Sequence, residues 1–168
     1  RQFHQPDFVD QVCAVIKKTA IDPRKLKLEL TESLVLDNID ETIAKMLTLK
    51  ESGVRFSMDD FGTGYSSLAY LSRLPLDQVK IDQSFVRNAT RSTDSAALIT
   101  TIINMGQSMG MDVVAEGVET EEQLTFLRDQ ACAYGQGHLF GDPLSGDAYL
   151  KILVEQQRGE TPLAVLFT

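Results

Sequence analysis

A chain of 168 residues and 18.6 kDa, 43% hydrophobic and 24% charged, is long enough for one domain with a real core. That composition excludes a fibrous repeat or a disordered chain. The formal net charge of −8 and a pI near 4.7 set the surface against a nucleic acid backbone, so no DNA binding is expected. A small anionic ligand remains open wherever a divalent cation reverses the local sign.

No apolar stretch approaches a membrane span, and no signal peptide is visible. Cys13 and Cys132, the only cysteines, fit no metal or redox spacing, so two buried free thiols in a reducing cytosol are expected. The chain begins at Arg1 without a methionine and is expected to be an excised piece of a longer protein.

In chain order, Pro6 and Asp7 open a predicted helix with Phe8, Val12, Val15 and Ile16 at a 3.6-residue period. Asp22-Pro23 breaks it before a first strand at 26–30. A second helix begins near Asn38, with Ile39, Ile43, Met46 and Leu47 on one side, and Ser52-Gly53 ends it as a glycine cap. The second strand runs into Asp59-Asp60. A loop follows, Phe61, Gly62, Thr63, Gly64, Tyr65, Ser66 and Ser67, then a short helix through Leu68 and Leu71, Pro75 and a third strand.

The longest helix is predicted over 94–109, with Leu98, Ile102, Met105 and Met109 on its apolar face. A fourth strand ends at Glu116, and Thr120 with Gln123 forms a capping box for a helix carrying Leu124 and Leu127. A fifth strand is predicted at 133–140 and a last helix at 147–154. This alternation predicts an α/β fold, about five parallel strands with outer helices. Five strands do not close a barrel, and an open parallel sheet normally has helices on both faces. A partial (β/α)8 TIM-like barrel fits better, because such barrels gather their chemistry at the carboxyl ends of the strands.

Charged groups do stand there. Glu29 ends the first strand, Asp59 and Asp60 the second, and Glu116 the fourth, while Lys80 lies within the third. A glutamate such as Glu29 is often merely solvated. Adjacent carboxylates repel, so Asp59-Asp60 points to a cation or donors beside it, with a helix cap or Asx-turn as the competing reading. An ammonium in an apolar strand needs carboxylates or phosphate, unless it snorkels to a rim. Gln136, between Gly135 and Gly137, carries an amide suited to orient water or a phosphate oxygen. Gly62 and Gly64 allow a mobile loop beside the site, but a phosphate-binding loop would need a lysine and spacing that are missing. Recurrence of such groups at successive strand ends is the argument for an enzyme.

The segments Glu29-Leu30-Thr31-Glu32-Ser33, Asp59 through Ser67, Lys80-Ile81-Asp82, Ala115-Glu116-Gly117-Val118-Glu119-Thr120 and Gln136-Gly137 resemble, in order, the EAL family of bacterial cyclic di-GMP phosphodiesterases. The resemblance implies a (β/α)8 barrel with one antiparallel strand, and two Mg²⁺ or Mn²⁺ ions that serve hydrolysis of cyclic di-GMP to linear pGpG. It makes Glu29, Asp59, Asp60 and Glu116 metal-site carboxylates. Lys80 would hold the attacking water, with Glu116 either the general base or a further carboxylate of the ligand sphere, and Gln136 ordering the water network. Glu32 would tether the loop from Asp60 to Ser67, a loop linked to dimer contacts, and Glu119 would support the site from behind. A cytoplasmic homodimer under upstream regulatory domains is implied, with a membrane anchor possible only in the parent protein.

The family's Glu-Ala-Leu and Asn-Val-Ser segments would fall before Arg1. Residues 1–168 are therefore expected to be the carboxy-terminal portion of a single EAL-type domain, short of three strands and two metal ligands. As it stands, such a piece is expected to be unstable, aggregated or completed by another chain. His138 stands where an aromatic residue is common and Asp142 where a basic one is usual. His138 reads as a rim histidine more readily than as a metal ligand. A catalytically impaired cyclic di-GMP receptor is the alternative function, and an unrelated metal-dependent barrel a third.

Overall fold

Strand 55–61 alternates in polarity over its first five residues: Phe56 and Met58 are apolar and buried, Ser57 between them is polar and also buried, Asp59 is half-buried, and Arg55 and Asp60 are exposed. The same period governs its neighbours, and it decides the architecture. In the computed structural model, which describes residues 2–63 and 68–158, the strands are β1 (Lys27–Thr31), β2 (Arg55–Phe61), β3 (Gln78–Ile81), β4 (Asp112–Glu116) and β5 (Tyr134–Gln136). They form one parallel sheet in sequence order, with β1 and β5 at its edges.

Register then sorts the side chains, because directly paired residues share a face. Leu30, Phe56, Met58, Val79, Ile81, Val113 and Ala115 lie on one face and belong to a single apolar core, with Leu28 packed against it. Glu29, Ser57, Asp59, Gln78, Lys80, Glu116 and Gln136 lie on the other. An open doubly wound sheet would bury both faces in apolar contacts. Here one face is apolar and the other mostly polar, with Val114 and Tyr134 as its apolar members, as in a barrel segment whose strands face a functional interior.

The helices are α1 (Phe8–Thr19), α2 (Glu32–Asp37), α3 (Ile39–Glu51), α4 (Leu68–Leu71), α5 (Gln83–Asn88), α6 (Thr93–Ser108), α7 (Glu121–Asp129) and α8 (Gly146–Gln157). Val35, Met46, Leu49, Val86, Ile99, Ile102, Ile103, Leu124 and Leu127 carry α2, α3, α5, α6 and α7 into the apolar core. The capping box of α7 is present, with Thr120 accepting from the Gln123 backbone and the Gln123 side chain returning to the Thr120 backbone. No helix among the described residues is long and apolar enough to cross a membrane.

Several expectations change. The face of α3 is centred on Thr42, Met46 and Leu49, and Leu47 is turned to solvent. Val15 and Met109 are likewise exposed, and Ile99, Ile103 and Gly106 take the inner face of α6. The strand expected at 133–140 stops at Gln136, because Leu139 donates its backbone N–H to Val118 and turns the chain out of the sheet. Helices α2 and α5, each six residues, follow β1 and β3 without having been expected. Cys132 is buried as expected, whereas Cys13 is only partly so.

Candidate functional site

Lys80 sits in a strand whose four residues are all buried, and its side chain is only 8% exposed. A lone ammonium there would be costly. It is surrounded instead by carboxylates from three other strands: Glu116 Oε1 at 2.7 Å, Glu29 Oε2 at 3.0 Å and Asp59 Oδ1 at 3.1 Å. The sheet order puts β1, β2 and β4 around β3, so residues 29, 59, 80 and 116 converge at one end of the polar face.

Burial alone would push the Lys80 ammonium below the usual lysine range. The hydrogen bonds it donates to Glu116, Glu29 and Asp59 outweigh that cost, and the net shift is upward. Glu116 also moves upward, which a private ion pair would not produce. Desolvation is the largest cause, and the charges of Asp59 and Glu29 add to it, while a Lys80 shared among three carboxylates offsets only part. One cation is too few for this group of acids.

Asp60 joins the cluster by a local irregularity. In a regular strand, neighbouring side chains point to opposite faces. Between Met58 and Phe61 the register of β2 on β3 shifts, and Asp60 adopts a left-handed backbone with φ of 54°. Such a bulge re-aims a side chain, and aspartate tolerates the conformation better than most residues. Asp59, Asp60 and Glu116 thereby each offer a carboxylate oxygen, all within 4.8 Å of one another. Partial desolvation and the charges of Asp59 and Asp82 push the Asp60 carboxyl up. Hard, mutually repelling oxygen donors of this kind fit Mg²⁺ or Mn²⁺.

The remaining expected residues spread outward from this centre. Gln136 is paired in register with Glu116 on the next strand. It lines a cleft of about 630 Å³ with Glu29, Gln78 and Lys80, bounded on the far side by Phe140, Tyr149 and Ile152. A second cleft, about 500 Å³, holds Glu116, Glu119, Gln136 and His138. Glu119 stands apart from the carboxylate cluster, 3.6 Å from Arg87 Nη2. Glu32 is half-buried in the first turn of α2 and borders a small apolar cavity with Met58 and Phe61. Of the expected loop, Phe61 is buried, Gly62 half-buried and Thr63 exposed, whereas Gly64, Tyr65, Ser66 and Ser67 lie outside the described residues.

Residues given no role from sequence also belong here. Asp82 caps α5 by accepting from the Ser84 backbone at 2.9 Å and adds its charge beside Asp60. Gln83 and Asp142 line the clefts. The signal for Asp82 was its place immediately after β3, two residues from Lys80.

Comparison with known proteins agrees with this geometry. The chain matches the EAL domain family over residues 1–143. It is 48% identical over 136 residues to the cyclic di-GMP phosphodiesterase NbdA of Pseudomonas aeruginosa, covering 81% of this chain and 17% of that protein. The phosphodiesterase MucR of the same organism, solved as a cyclic di-GMP complex, superposes with a TM-score of 0.84 at 39% identity, over 88% of this chain and 60% of that one. A manganese and cyclic di-GMP complex of Klebsiella pneumoniae BlrP1 gives a TM-score of 0.78 at 32% identity, over 84% and 36%. The chain spans roughly a fifth of the length of the curated relatives it matches, from 17% to 23%. With residues 1–143 matched and nearly half of the aligned positions identical to NbdA, this chain belongs to the EAL domain family.

Proposed function

We propose that residues 1–168 are the carboxy-terminal portion of an EAL-type domain that hydrolyses cyclic di-GMP to linear pGpG with two Mg²⁺ or Mn²⁺ ions. One observation carries this reading: carboxylates from three strands meet on the Lys80 ammonium, with Asp60 added by the bulge beside them. The NbdA, MucR and BlrP1 likenesses support the substrate, and BlrP1 supports the metal.

Glu29, Asp59, Asp60 and Glu116 would hold the ions. When bound, the ions supply Lewis acidity and neutralise phosphate charge. In the reaction a water oxygen bonds to phosphorus, the phosphorus–O3′ bond breaks, and O3′ leaves as a hydroxyl, giving the 5′-phosphate of pGpG. Glu116 takes the proton from water as general base, and a proton passes on to the leaving O3′ oxygen, which balances the step. Lys80 holds that water and offsets charge as it grows on the phosphate oxygens. Gln136, opposite Glu116 in register, orders water within the cleft. Glu119, paired with Arg87, braces the loop after Glu116. Glu32 would tether the substrate loop of Phe61, Gly62, Thr63, Gly64, Tyr65, Ser66 and Ser67. The same reading makes the protein a cytoplasmic homodimer governed by upstream regulatory domains.

The test is incubation of the intact polypeptide with cyclic di-GMP and Mn²⁺, followed by chromatography for pGpG. Mn²⁺-dependent pGpG is the expected result. Binding of cyclic di-GMP without turnover overturns the enzyme reading in favour of a receptor.

A further inference from the structure

We infer that Gly137 is a positioning residue for Glu116, through a clamp between the loop after β4 and the turn after β5. The inference rests on the metal-site reading above. Glu116 is the last residue of β4, and Gly117, Val118 and Glu119 follow it towards α7. The Val118 N–H donates to Gln136 O at 3.0 Å, and the Leu139 N–H donates to Val118 O at 3.1 Å. Val118 is fully buried beneath these bonds.

There is no space for a side chain at position 137. A Cβ there would lie 2.2 Å from Val118 O, 2.4 Å from Val118 N and 2.7 Å from its carbonyl carbon. All three atoms are backbone, so no rotamer change relieves the overlap. The opposite side of the loop is also close: Gly117 has φ of +71°, and a Cβ on it would lie 2.6 Å from the Gln83 Cβ. The segment leaving Glu116 is thus held between α5 and the turn after β5. Restoring ordinary contact at Gly137 requires a shift of about 1 Å, the displacement at which metal and catalytic geometry fails. Glu116 and Gln136 are paired across the same two strands, so the clamp fixes both at once.

The experiment uses Mn²⁺ alone as probe, with binding followed by calorimetry or electron paramagnetic resonance. Gly137→Ala is expected to weaken Mn²⁺ binding by about tenfold or more, as for other residues that orient ligands. In a Glu116→Gln background the same change should do little further, because its effect passes through Glu116. A folded Gly137→Ala protein with wild-type Mn²⁺ affinity overturns the inference, and so do independent losses in the double variant. A merely structural glycine would lower Tm and leave the affinity of the folded protein unchanged.

Hydrogen exchange on the unaltered protein supplies a second reading. If the clamp and the Glu116 site open together, Mn²⁺ should slow exchange at the Val118 and Leu139 amides by one common factor, about a hundredfold at a hundred times its Kd. Rates unaffected by Mn²⁺ overturn the inference even where Gly137→Ala does not fold. Mn²⁺ binding with this pattern but no pGpG would leave the clamp standing and remove the hydrolase. A wild-type chain that binds no Mn²⁺ removes the metal site and the clamp's role with it.

Discussion

Two lysines stand at opposite ends of the same sheet, and their surroundings differ in one respect. Lys50, on α3, meets Asp77 Oδ1 at 2.8 Å and the Pro75 carbonyl at 3.1 Å, while Asp77 Oδ2 accepts the Phe56 backbone N–H at 2.8 Å. One cation meets one anion, the spare lone pairs go to backbone, and the result pins the start of β3 to β2. Lys80 meets three carboxylates, with a fourth in Asp60 close by. The first arrangement is complete in itself. The second carries surplus negative charge in a half-buried place, where repulsion is costly unless a cation shares it. Charge balance therefore separates a structural ion pair from a site built to hold something.

Substitutions at the two ends should separate them experimentally. The largest effect is expected for Asp59→Asn, which keeps the shape but removes one carboxylate charge from the cluster. Turnover of cyclic di-GMP should fall roughly a thousandfold while the circular dichroism spectrum is unchanged. Near-normal rates would show that the metal assignment is wrong. Lys80→Met comes next, with a turnover loss of roughly a hundredfold. It should also lower Tm in chelator and recover most of that loss with Mn²⁺, since a divalent ion can replace the missing charge. Equal Tm losses with and without Mn²⁺ would remove the distinction drawn here. Asp77→Ala is expected to cost about 2 kcal/mol, limited by the roughly one-third exposure of both partners, 30% and 32%. Mn²⁺ should restore none of it, and the turnover of the folded fraction should be normal.

The sheet and the chemistry were legible in sequence for a shared reason. Apolar runs bounded by turn residues mark the strands, and carboxylates recurring near the ends of successive runs stand out where any one alone is often merely solvated. The polar alternation along Arg55-Phe56-Ser57-Met58-Asp59 was also present and distinguishes a barrel interior from an open sheet. What could not be read depends on register and backbone. Nothing in Asp59-Asp60 announces the left-handed φ that re-aims Asp60. Nothing local says that Lys80 will face Glu29, 51 residues earlier. Helices α2 and α5 are too short to display a period. The fifth strand is shorter than the predicted 133–140 and ends at Gln136. Its true end is set by Val118 on another loop.

The smallest predicted effect has the opposite sign from the others. In the metal-free protein, burial and the charges of Asp59 and Glu29 hold the Glu116 carboxyl above its usual 4.5, with Lys80 opposing them only in part. A carboxyl whose folded pKa lies above its unfolded value favours the fold while protonated. That contribution is complete below the unfolded pKa and is lost as pH rises through the folded one. Glu116→Gln, neutral and nearly isosteric, should therefore raise Tm in chelator at pH 7 by about 1–3 °C, corresponding to less than about 1 kcal/mol. The gain should vanish near pH 4, where the native carboxyl is itself protonated. Added Mn²⁺ should reverse the order, because the wild type has the better ligand. A Glu116→Gln protein that melts earlier than wild type in chelator would mean that Lys80 already satisfies its acids, leaving no surplus charge to distinguish it from Lys50.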